Sequence, residues 1–215
     1  MEKDQFTLID LNTWPRKDHF DYYQTKVVCG YHLTVPMDVS HFLKEVKQRG
    51  LRFYPSFVWC VAHLVAETKE FCMGLDDGGR PGYFSCMHPN FTIFHEDDHT
   101  FSDVWTAYDP DFSTFYQNMV NDMETYRDKK GVKVKEGQPR NFFCISCVPW
   151  VSYSGFGTFS PGGKPNLFPI IDFGKYEEEN GRWNMPVTVT ISHAAADGYH
   201  TSQFFVKLQA LLNEF

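Results

Sequence analysis

The sequence lacks the marks of a membrane-spanning or exported chain. None of its apolar runs reaches the roughly 20 residues that a helix needs to cross a bilayer. Its first residues, Met-Glu-Lys-Asp-Gln-Phe, contain no apolar signal core. We therefore expect a cytoplasmic protein with no membrane partner, in which the six cysteines are free thiols.

A surplus of positive charge is also missing. The chain has 20 Lys and Arg against 27 Asp and Glu, for a formal net charge of −7 at pH 7. Binding a nucleic-acid backbone needs a basic face, because the phosphates must be neutralised. The charge balance argues against nucleic acid as a partner, although scattered basic residues could still hold a small phosphorylated cofactor.

The spacing of a metal site is absent as well, and no metal is expected. Cys144 and Cys147 lie in an apolar run that predicts a strand, where residues three apart face opposite sides, so we interpret both as buried small side chains. His95 and His99 lie beside acidic residues without the convergent spacing of a zinc motif, and we interpret them as surface polar residues. Residues 156–166 are predicted to form a loop or loose strand and contain no Gly-x-Ser-x-Gly nucleophile elbow, which counts against a serine hydrolase.

Aromatic and apolar residues are plentiful. The chain is 42% hydrophobic and 17% aromatic, with 21 Phe, 11 Tyr and 5 Trp. A chain of 215 residues with this composition can bury a sizeable core, and we predict one domain spanning residues 1–215. The aromatic content suits a packed core or a pocket for a flat apolar ligand.

Apolar periodicity predicts alternating strands and helices. The predicted strands cover about 27–35, 91–95, 100–105, 141–151, 167–173 and 186–191, and a hairpin turn lies at 76–82. The predicted helices cover about 15–25, 40–50, 56–68 and 111–127, with a last helix after Gly198. Thr13 is the expected N-cap of the first helix, and Asp38 or Ser40 that of the second.

The chemical centre of the chain is expected in residues 191–200. His193 follows the last predicted strand and Asp197 precedes the last predicted helix, with Gly198 allowing the turn between them. Junctions of this kind present reactive side chains toward a ligand. A His and an Asp beside a Gly are more commonly a structural pair, so this stretch alone does not assign a function.

Several further motifs carry a resemblance to a known family. They are Trp14-x-Arg16-x-x-x-Phe20, Phe53-Tyr54-Pro55, Phe94-His95 with Thr100-Phe101-Ser102, Ser146-x-x-Pro149-Trp150, Lys175-Tyr176 and His193-x-x-x-Asp197-Gly198. Together, from about Leu11 to Asn213, they resemble the chloramphenicol acetyltransferase family. The acyltransferase domains of 2-oxo acid dehydrogenase complexes share the last motif, but no lipoyl domain or Ala-Pro-rich linker precedes it here.

The resemblance implies an α/β two-layer sandwich, with a mixed sheet and helices packed on one face. It also implies a homotrimer whose active sites lie between subunits. The implied reaction is acetyl transfer from acetyl-CoA, as co-substrate, to the 3-hydroxyl of chloramphenicol. That reaction would pass through a ternary complex without an acyl-enzyme.

The resemblance also implies roles for individual residues. His193 would be the general base, with its other ring nitrogen held by its own backbone carbonyl. Ser146 would stabilise the oxyanion, and Asp197 would pair with Arg16 to fix the turn. The implied coenzyme contacts are Tyr54, Lys175 and Tyr176. The implied acceptor pocket comprises Tyr22, Tyr23, Val27, Cys29, Tyr31, Asn90, Phe101, Asp103, Phe156, Thr158 and Asp172.

Three positions depart from the family pattern. Asp172 replaces a Thr, Asp103 replaces a small residue, and Ser192 replaces the first His of a His-His pair. The two acids make the pocket more polar than a neutral aromatic acceptor favours. Two alternatives therefore stay open: an acyltransferase with another hydroxyl or thiol acceptor, and a non-catalytic trimeric binding relative.

Overall fold

The computed structural model describes residues 5–158 and 163–215, so part of the loop predicted around 156–166 lies outside the described residues. The elements in chain order are β1 (Phe6–Leu8), α1 (Lys17–Thr25), β2 (Gly30–Asp38), α2 (Ser40–Gln48), α3 (Phe53–Glu67), a 3₁₀ turn (Lys69–Cys72), β3 (Met73–Leu75), β4 (Pro81–Phe84), β5 (His88–His95), β6 (Thr100–Trp105), α4 (Phe112–Tyr126), β7 (Phe142–Val148), β8 (Ile170–Gly174), β9 (Glu177–Glu179), β10 (Arg182–Ser192) and α5 (Gly198–Glu214).

A mixed sheet organises the molecule. Its strand order is β2-β10-β8-β7-β5-β6, with β9 paired to the start of β10. Strand β7 runs parallel to both β5 and β8, whereas the other pairs are antiparallel. A small second sheet joins β1, β4 and β3. The predicted α/β class with a mixed sheet is confirmed.

The core lies between this sheet and helices α2, α3 and α5. Alternate residues of β10, from Met185 to Ile191, are fully buried, as the pleat requires of a face that packs on helices. Helix α3 is apolar around most of its circumference, and its Phe57 packs on Phe173 of β8 with ring centroids 4.8 Å apart. Helix α5 contacts both α3 and β2.

The opposite face of the sheet carries a row of polar side chains, which we call the polar row. Ser146, Asp172, Thr188 and Thr34 are register partners on β7, β8, β10 and β2. Because side chains alternate along a strand, these four point away from the face that Ile171 and Val189 bury against the helices. Strand pairing thus places a carboxyl group among hydroxyl groups.

Local sequence rules located most elements, with shifts at their ends. Strand β2 begins at Gly30 rather than Val27, and α3 begins at Phe53 rather than Ser56. The earlier start of α3 is possible because a proline is tolerated in the first helical turn, where Pro55 lies. The predicted hairpin is confirmed, and Asp76 accepts hydrogen bonds from the backbone N–H groups of Gly78 and Arg80 within it.

Two of the predicted helix caps are wrong. The Thr13 hydroxyl lies 3.2 Å from Asp10 Oδ2, in a turn before α1, and Arg16 occupies the N-cap position without a capping side-chain bond. At α2 the N-cap is Val39, although Asp38 Oδ1 does accept from the Ser40 N–H at 2.9 Å. No helix among the described residues is long and apolar enough to span a membrane.

Candidate active site

The turn after β10 is held in place by backbone and hydroxyl hydrogen bonds. The His193 N–H donates to the carbonyl of Cys29 at 3.0 Å, which ties the turn to the chain just before β2. The buried Ser192 hydroxyl accepts from the Ala194 N–H, and its carbonyl accepts from Ala195 and Ala196. The serine that departs from the family pattern therefore stabilises the turn that carries His193.

Two tyrosines orient the imidazole of His193. Its ring lies parallel to that of Tyr23, with 4.0 Å between centroids and 3° between planes, and Tyr31 meets it edge-on at 5.4 Å. The expected bond from the ring to its own backbone carbonyl is not found: Nδ1 is buried without a partner among the described residues. Aromatic stacking therefore sets the plane of the ring here.

An ion pair fixes the far end of the same turn. Arg16 Nη1 lies 2.6 Å from Asp197 Oδ2. The Arg16 side chain is 15% exposed and the Asp197 side chain 32% exposed. The other Asp197 oxygen accepts from the Tyr199 N–H and caps α5. His200 completes the cap, because its Nδ1 accepts from the Asp197 N–H at 3.2 Å.

The charge on Asp197 is favoured by these contacts. Burial acts to raise the pKa of Asp197, but the hydrogen bond from Arg16, the electrostatic effects of His200 and Arg16 and the hydrogen bond from the Tyr199 N–H outweigh it, and the pKa lies below its usual value. Glu70 lies 3.6 Å from the other ring nitrogen of His200. The turn is thus anchored by contacts that favour the ionised form of the Asp197 carboxyl.

Ser146 lies far from His193 within one chain. Ser146 pairs with Asp172, which pairs with Thr188, so Ser192 at the end of β10 lies two strands across and four residues further along, and His193 is the next residue. At about 3.3 Å per residue and about 4.8 Å per strand, the Cα atoms of Ser146 and His193 are separated by roughly 15–20 Å. One chain does not bring the predicted base and the predicted oxyanion donor together.

Asp172 is an unusual member of the polar row. It is only 3% exposed, and its Oδ2 has no hydrogen-bond partner among the described residues. Burial raises the pKa of the Asp172 carboxyl to about 7, because the charged form loses its hydration. Burial, an unpartnered oxygen and a raised pKa make Asp172 a candidate for a functional residue.

Part of the predicted acceptor pocket surrounds a cavity near His193. The cavity measures about 480 Å³, and Cys29, Tyr31 and Thr158 lie in its wall. The Tyr31 hydroxyl lies 3.3 Å from Thr201 Oγ1, and burial raises the pKa of Tyr31 to about 12. Tyr23 lies against the imidazole itself. Tyr22 in α1 and Val27 just after α1 are exposed.

The other predicted acceptor residues lie elsewhere on the sheet. Asn90 is buried on β5, and its Oδ1 has no partner in the described part of the chain. Phe101 on β6 is 52% exposed, and Asp103 lies 3.8 Å from Lys133. Phe156 packs on Tyr153 with centroids 5.5 Å apart. The predicted acceptor residues therefore divide into a group near His193 and a group on the sheet face that carries Ser146.

The three predicted coenzyme residues line one cleft. Tyr54, Lys175 and Tyr176 border a space of about 930 Å³ between the start of α3 and the ends of β7 and β8. The Tyr54 hydroxyl is buried, and burial raises its pKa strongly. Arg52 and Trp150 also line this cleft, and neither residue was assigned to it from the sequence. Their positions next to the Phe53-Tyr54-Pro55 motif and next to Pro149 could have indicated that they lie there.

The histidines and cysteines that could suggest a metal or redox site have other roles in the structure. His95 is buried, not on the surface as predicted, because β5 places its Nε2 2.9 Å from the Ser102 hydroxyl of β6. No group of three His, Cys, Asp or Glu suited to a metal occurs within residues 5–158 and 163–215. All six cysteines are free, as predicted.

Comparison with known proteins places the chain in a family. The family model described as chloramphenicol acetyltransferase matches residues 4–209. A chloramphenicol acetyltransferase of Campylobacter coli is 38% identical over 210 residues, covering 98% of this chain and 100% of the relative. This chain belongs to the chloramphenicol acetyltransferase family. A further member, from Vibrio anguillarum, is 38% identical over 97% of this chain and 94% of its own.

Solved structures show the same fold. A chloramphenicol acetyltransferase structure superimposes with a TM-score of 0.83 at 22% identity, covering 97% of this chain and all of that one. A dihydrolipoamide acetyltransferase of Azotobacter vinelandii superimposes with a TM-score of 0.67 at 16% identity, over 92% and 86% of the two chains. That second structure addresses the roles of a serine, a histidine and an asparagine in the catalytic mechanism of that enzyme.

Breaking the ion pair between Arg16 and Asp197 should destabilise the protein. We expect Arg16→Met to cost about 1–3 kcal/mol, because it leaves a half-buried carboxylate without its charged partner. The double variant Arg16→Met/Asp197→Asn should lose less stability than the two single variants lose in sum, because the two residues share one interaction. Denaturant unfolding of the four proteins measures this coupling.

The exposed pair between Lys17 and Asp21, in the neighbouring helix α1, is the matched control. Lys17→Met should cost no more than about 0.5 kcal/mol, as expected for a solvated pair. Equal costs at Arg16 and Lys17, or strict additivity in the cycle, would contradict a structural role for the Arg16–Asp197 pair.

Asp172 should make stability depend on pH in the opposite sense to most acids. Its folded pKa of about 7 lies above the unfolded value of 3.8, so the folded state holds the proton more tightly and stability falls as pH rises between these values. We expect Asp172→Asn to be more stable than wild type above about pH 7, by up to ~4 kcal/mol. The difference should shrink toward about pH 4.

Thermal and denaturant unfolding at several pH values, at one protein concentration, test this expectation. Asp128→Asn, on an exposed position after α4, changes the same charge without burial and should alter stability by less than about 0.5 kcal/mol at any pH. A wild-type protein that stays more stable than Asp172→Asn at high pH would show that the carboxylate has a partner in solution.

Proposed function

We propose that the protein is an acetyl-CoA-dependent O-acetyltransferase that transfers acetyl to the 3-hydroxyl of chloramphenicol. The observation that carries the proposal is the turn at the end of β10, where Ser192, Cys29 and the Arg16–Asp197 pair hold His193 beside a cavity. Family membership supplies the donor and the acceptor. Residues 1–215 form a single catalytic domain in this proposal, supported by the family match over 4–209.

His193 acts as the general base. An alcohol is a weak nucleophile near neutral pH, so its proton must leave as its oxygen attacks the thioester carbon. A neutral imidazole can take that proton on Nε2, because imidazole titrates near the working pH. The buried Nδ1 then carries the other proton, and stacking on Tyr23 holds the ring in the plane that this transfer requires.

Ser146 stabilises the tetrahedral intermediate. Attack converts the thioester carbonyl into an oxyanion, which a hydroxyl donor lowers in energy relative to the ground state. The intermediate then collapses by breaking the carbon–sulfur bond, and the imidazolium returns its proton to the departing thiolate of CoA. Ser146 is half-buried, and its side chain faces away from the helices, on the same face of the sheet as Asp172.

The active protein is a homotrimer whose sites lie between subunits. A separation of roughly 15–20 Å between His193 and Ser146 within one chain is too long for one substrate to contact both groups. A site made from His193 of one subunit and Ser146 of the next removes this difficulty. Exposed Phe101 on the edge strand β6 and exposed Trp150 just after β7 supply apolar surface for such an interface.

The coenzyme occupies the cleft beside the start of α3. A cleft of about 930 Å³ is large enough for the elongated acetyl-CoA molecule to enter, and it combines aromatic walls with the charged groups of Arg52, Arg127 and Lys175. Aromatic rings suit the adenine and pantetheine parts, whereas cationic groups suit phosphates. Acetyl-CoA is a co-substrate here, and the reaction requires no metal.

A second candidate acceptor class is favoured by one observation. Asp172 places a carboxylate on the face that carries Ser146, and a buried carboxylate disfavours a purely neutral, apolar acceptor. An alcohol other than chloramphenicol, bearing a polar group near the reacting hydroxyl, fits this feature.

Removing either catalytic group should lower the rate without unfolding the protein. His193→Ala should reduce acetyl transfer by roughly a hundred- to ten-thousandfold, since it deletes the base. Ser146→Ala should lower kcat by roughly a hundredfold with little change in either KM, because the lost bond forms only in the transition state. Release of the CoA thiol, followed with a thiol reagent and corrected for a reaction without acceptor, measures both. An unaltered kcat in a Ser146→Ala protein that melts like wild type would place the oxyanion donor elsewhere.

Mixing the two inactive variants tests whether the site is shared. If His193 and Ser146 act across an interface, trimers refolded from equal amounts of His193→Ala and Ser146→Ala regain some intact sites. With random assembly, about one quarter of all sites combine a native His193 with a native Ser146. We therefore expect about one quarter of wild-type activity, measured with sedimentation analysis to verify the trimer. No recovery from verified mixed trimers would mean that both groups act from one chain.

A further inference from the structure

Asp172 has no counter-charge in its surroundings. Its register partners are Ser146 and Thr188, and the Thr188 hydroxyl is already engaged with Thr34 at 2.7 Å and with Tyr153 at 3.5 Å. Asp172 forms no ion pair with any Lys, Arg or His among the described residues. A buried carboxylate without a partner destabilises the folded protein. A neutral residue at this position would avoid that loss of stability.

Two further unpaired polar atoms lie on the same face of the sheet. Thr190 pairs with Ile170, two residues before Asp172 on β8, and Asn90 pairs with Cys144, two residues before Ser146 on β7. The Thr190 hydroxyl and the Asn90 side-chain carbonyl are both buried without partners in the described part of the chain. The three residues thus bring unsatisfied polar groups to one face of the sheet: a carboxyl oxygen and an amide carbonyl that accept hydrogen bonds, and a hydroxyl that can donate as well as accept.

A cavity reaches one member of this group. Thr190 and Ile170 lie in the wall of the space of about 480 Å³, and Asp172 is the diagonal neighbour of Thr190 across the β8–β10 pair. Diagonal neighbours on one face of a sheet are about 7–8 Å apart, so Asp172 lies behind this wall. Asp172 is also the direct neighbour of Ser146 across the β7–β8 pair. In the shared site proposed above, an acceptor whose hydroxyl meets His193 of one subunit therefore lies beside Ser146 and Asp172 of the next, where a donor-bearing group can reach the carboxyl.

We propose that Asp172 determines acceptor specificity by selecting alcohols that carry a protonated amine next to the hydroxyl to be acetylated. A cationic amine supplies the missing hydrogen-bond donors and also compensates the buried negative charge, whereas a neutral donor does only the first. The net charge of −7 favours the approach of such a cation. This inference rests on the proposed acetyl transfer and names the class of acceptor that the same site prefers.

The preference should depend on pH, because only the ionised carboxylate attracts a cation. The pKa of Asp172 lies at about 7, and burial raises the pKa values of nearby Cys144 and Tyr153 to about 11 and about 12, so neither of these ionises in the same range. Asp103 and Lys133 form a charged pair further along the sheet. Two imidazoles, His32 in the cavity wall and His193, also belong to the region, so the comparison needs a variant that lacks only the carboxylate.

The test compares two acceptors that differ in one group. Chloramphenicol carries a neutral amide, and its deacylated amino diol carries an amine at the same carbon, beside the hydroxyl that is acetylated. We would measure kcat/KM for both with acetyl-CoA, in wild type and Asp172→Asn, between about pH 6 and about pH 7.5. The ratio of amino diol to chloramphenicol should fall roughly tenfold or more in Asp172→Asn, with the difference growing as pH rises.

Controls separate this inference from the proposed function. Asp128→Asn should keep the wild-type preference, and Asp172→Thr provides a second neutral variant in case the asparagine protein does not fold. If wild type acetylates chloramphenicol and both neutral variants keep its acceptor preference, the inference about Asp172 is overturned and the proposed function stands. If wild type acetylates neither acceptor, the proposed function fails, and the inference fails with it.

Discussion

The ion pair between Arg16 and Asp197 is the contact on which the candidate site depends. It joins two residues 181 positions apart and ties the start of α1 to the turn after β10. Asp197 also caps α5, which links the orientation of a 17-residue helix to the same carboxylate. The backbone bond from His193 to Cys29 and the stacking on Tyr23 then set the position of the imidazole.

The two faces of the sheet have opposite roles. One face buries Val187, Val189 and Phe173 against helices, and this burial supplies most of the stabilisation. The other face carries the polar row and several buried polar atoms that lack partners among the described residues. Groups of that kind reduce stability, and proteins tolerate them where a ligand or a partner chain completes their hydrogen bonds. The unpartnered polar atoms on this face therefore support the proposal that the acceptor binds there.

The same sheet underlies the proposal that the site is shared between subunits. Strand order places β7 two positions from β10, and the register places Ser146 well back from the end where His193 lies. Each chain thus carries the proposed base at one location and the proposed oxyanion donor and coenzyme cleft at another. Cyclic assembly of identical chains brings unlike surfaces together, which is the arrangement that such a division requires.

The sequence by itself determined the elements and the chemistry that they carry. Alternation in residues 186–191, helical spacing after Gly198 and turn residues at 76–82 are local patterns, because backbone geometry imposes its period directly on the side chains. Motifs around His193, Ser146 and Tyr54 were sufficient for the family, since each is short and contiguous. Only the tertiary structure decided that Asp172 is unpaired, that His95 is buried, and that His193 Nδ1 lacks the carbonyl partner expected for it. These properties depend on which strands become neighbours and in what register, and that pairing joins residues too distant in the chain for local periodicity to specify.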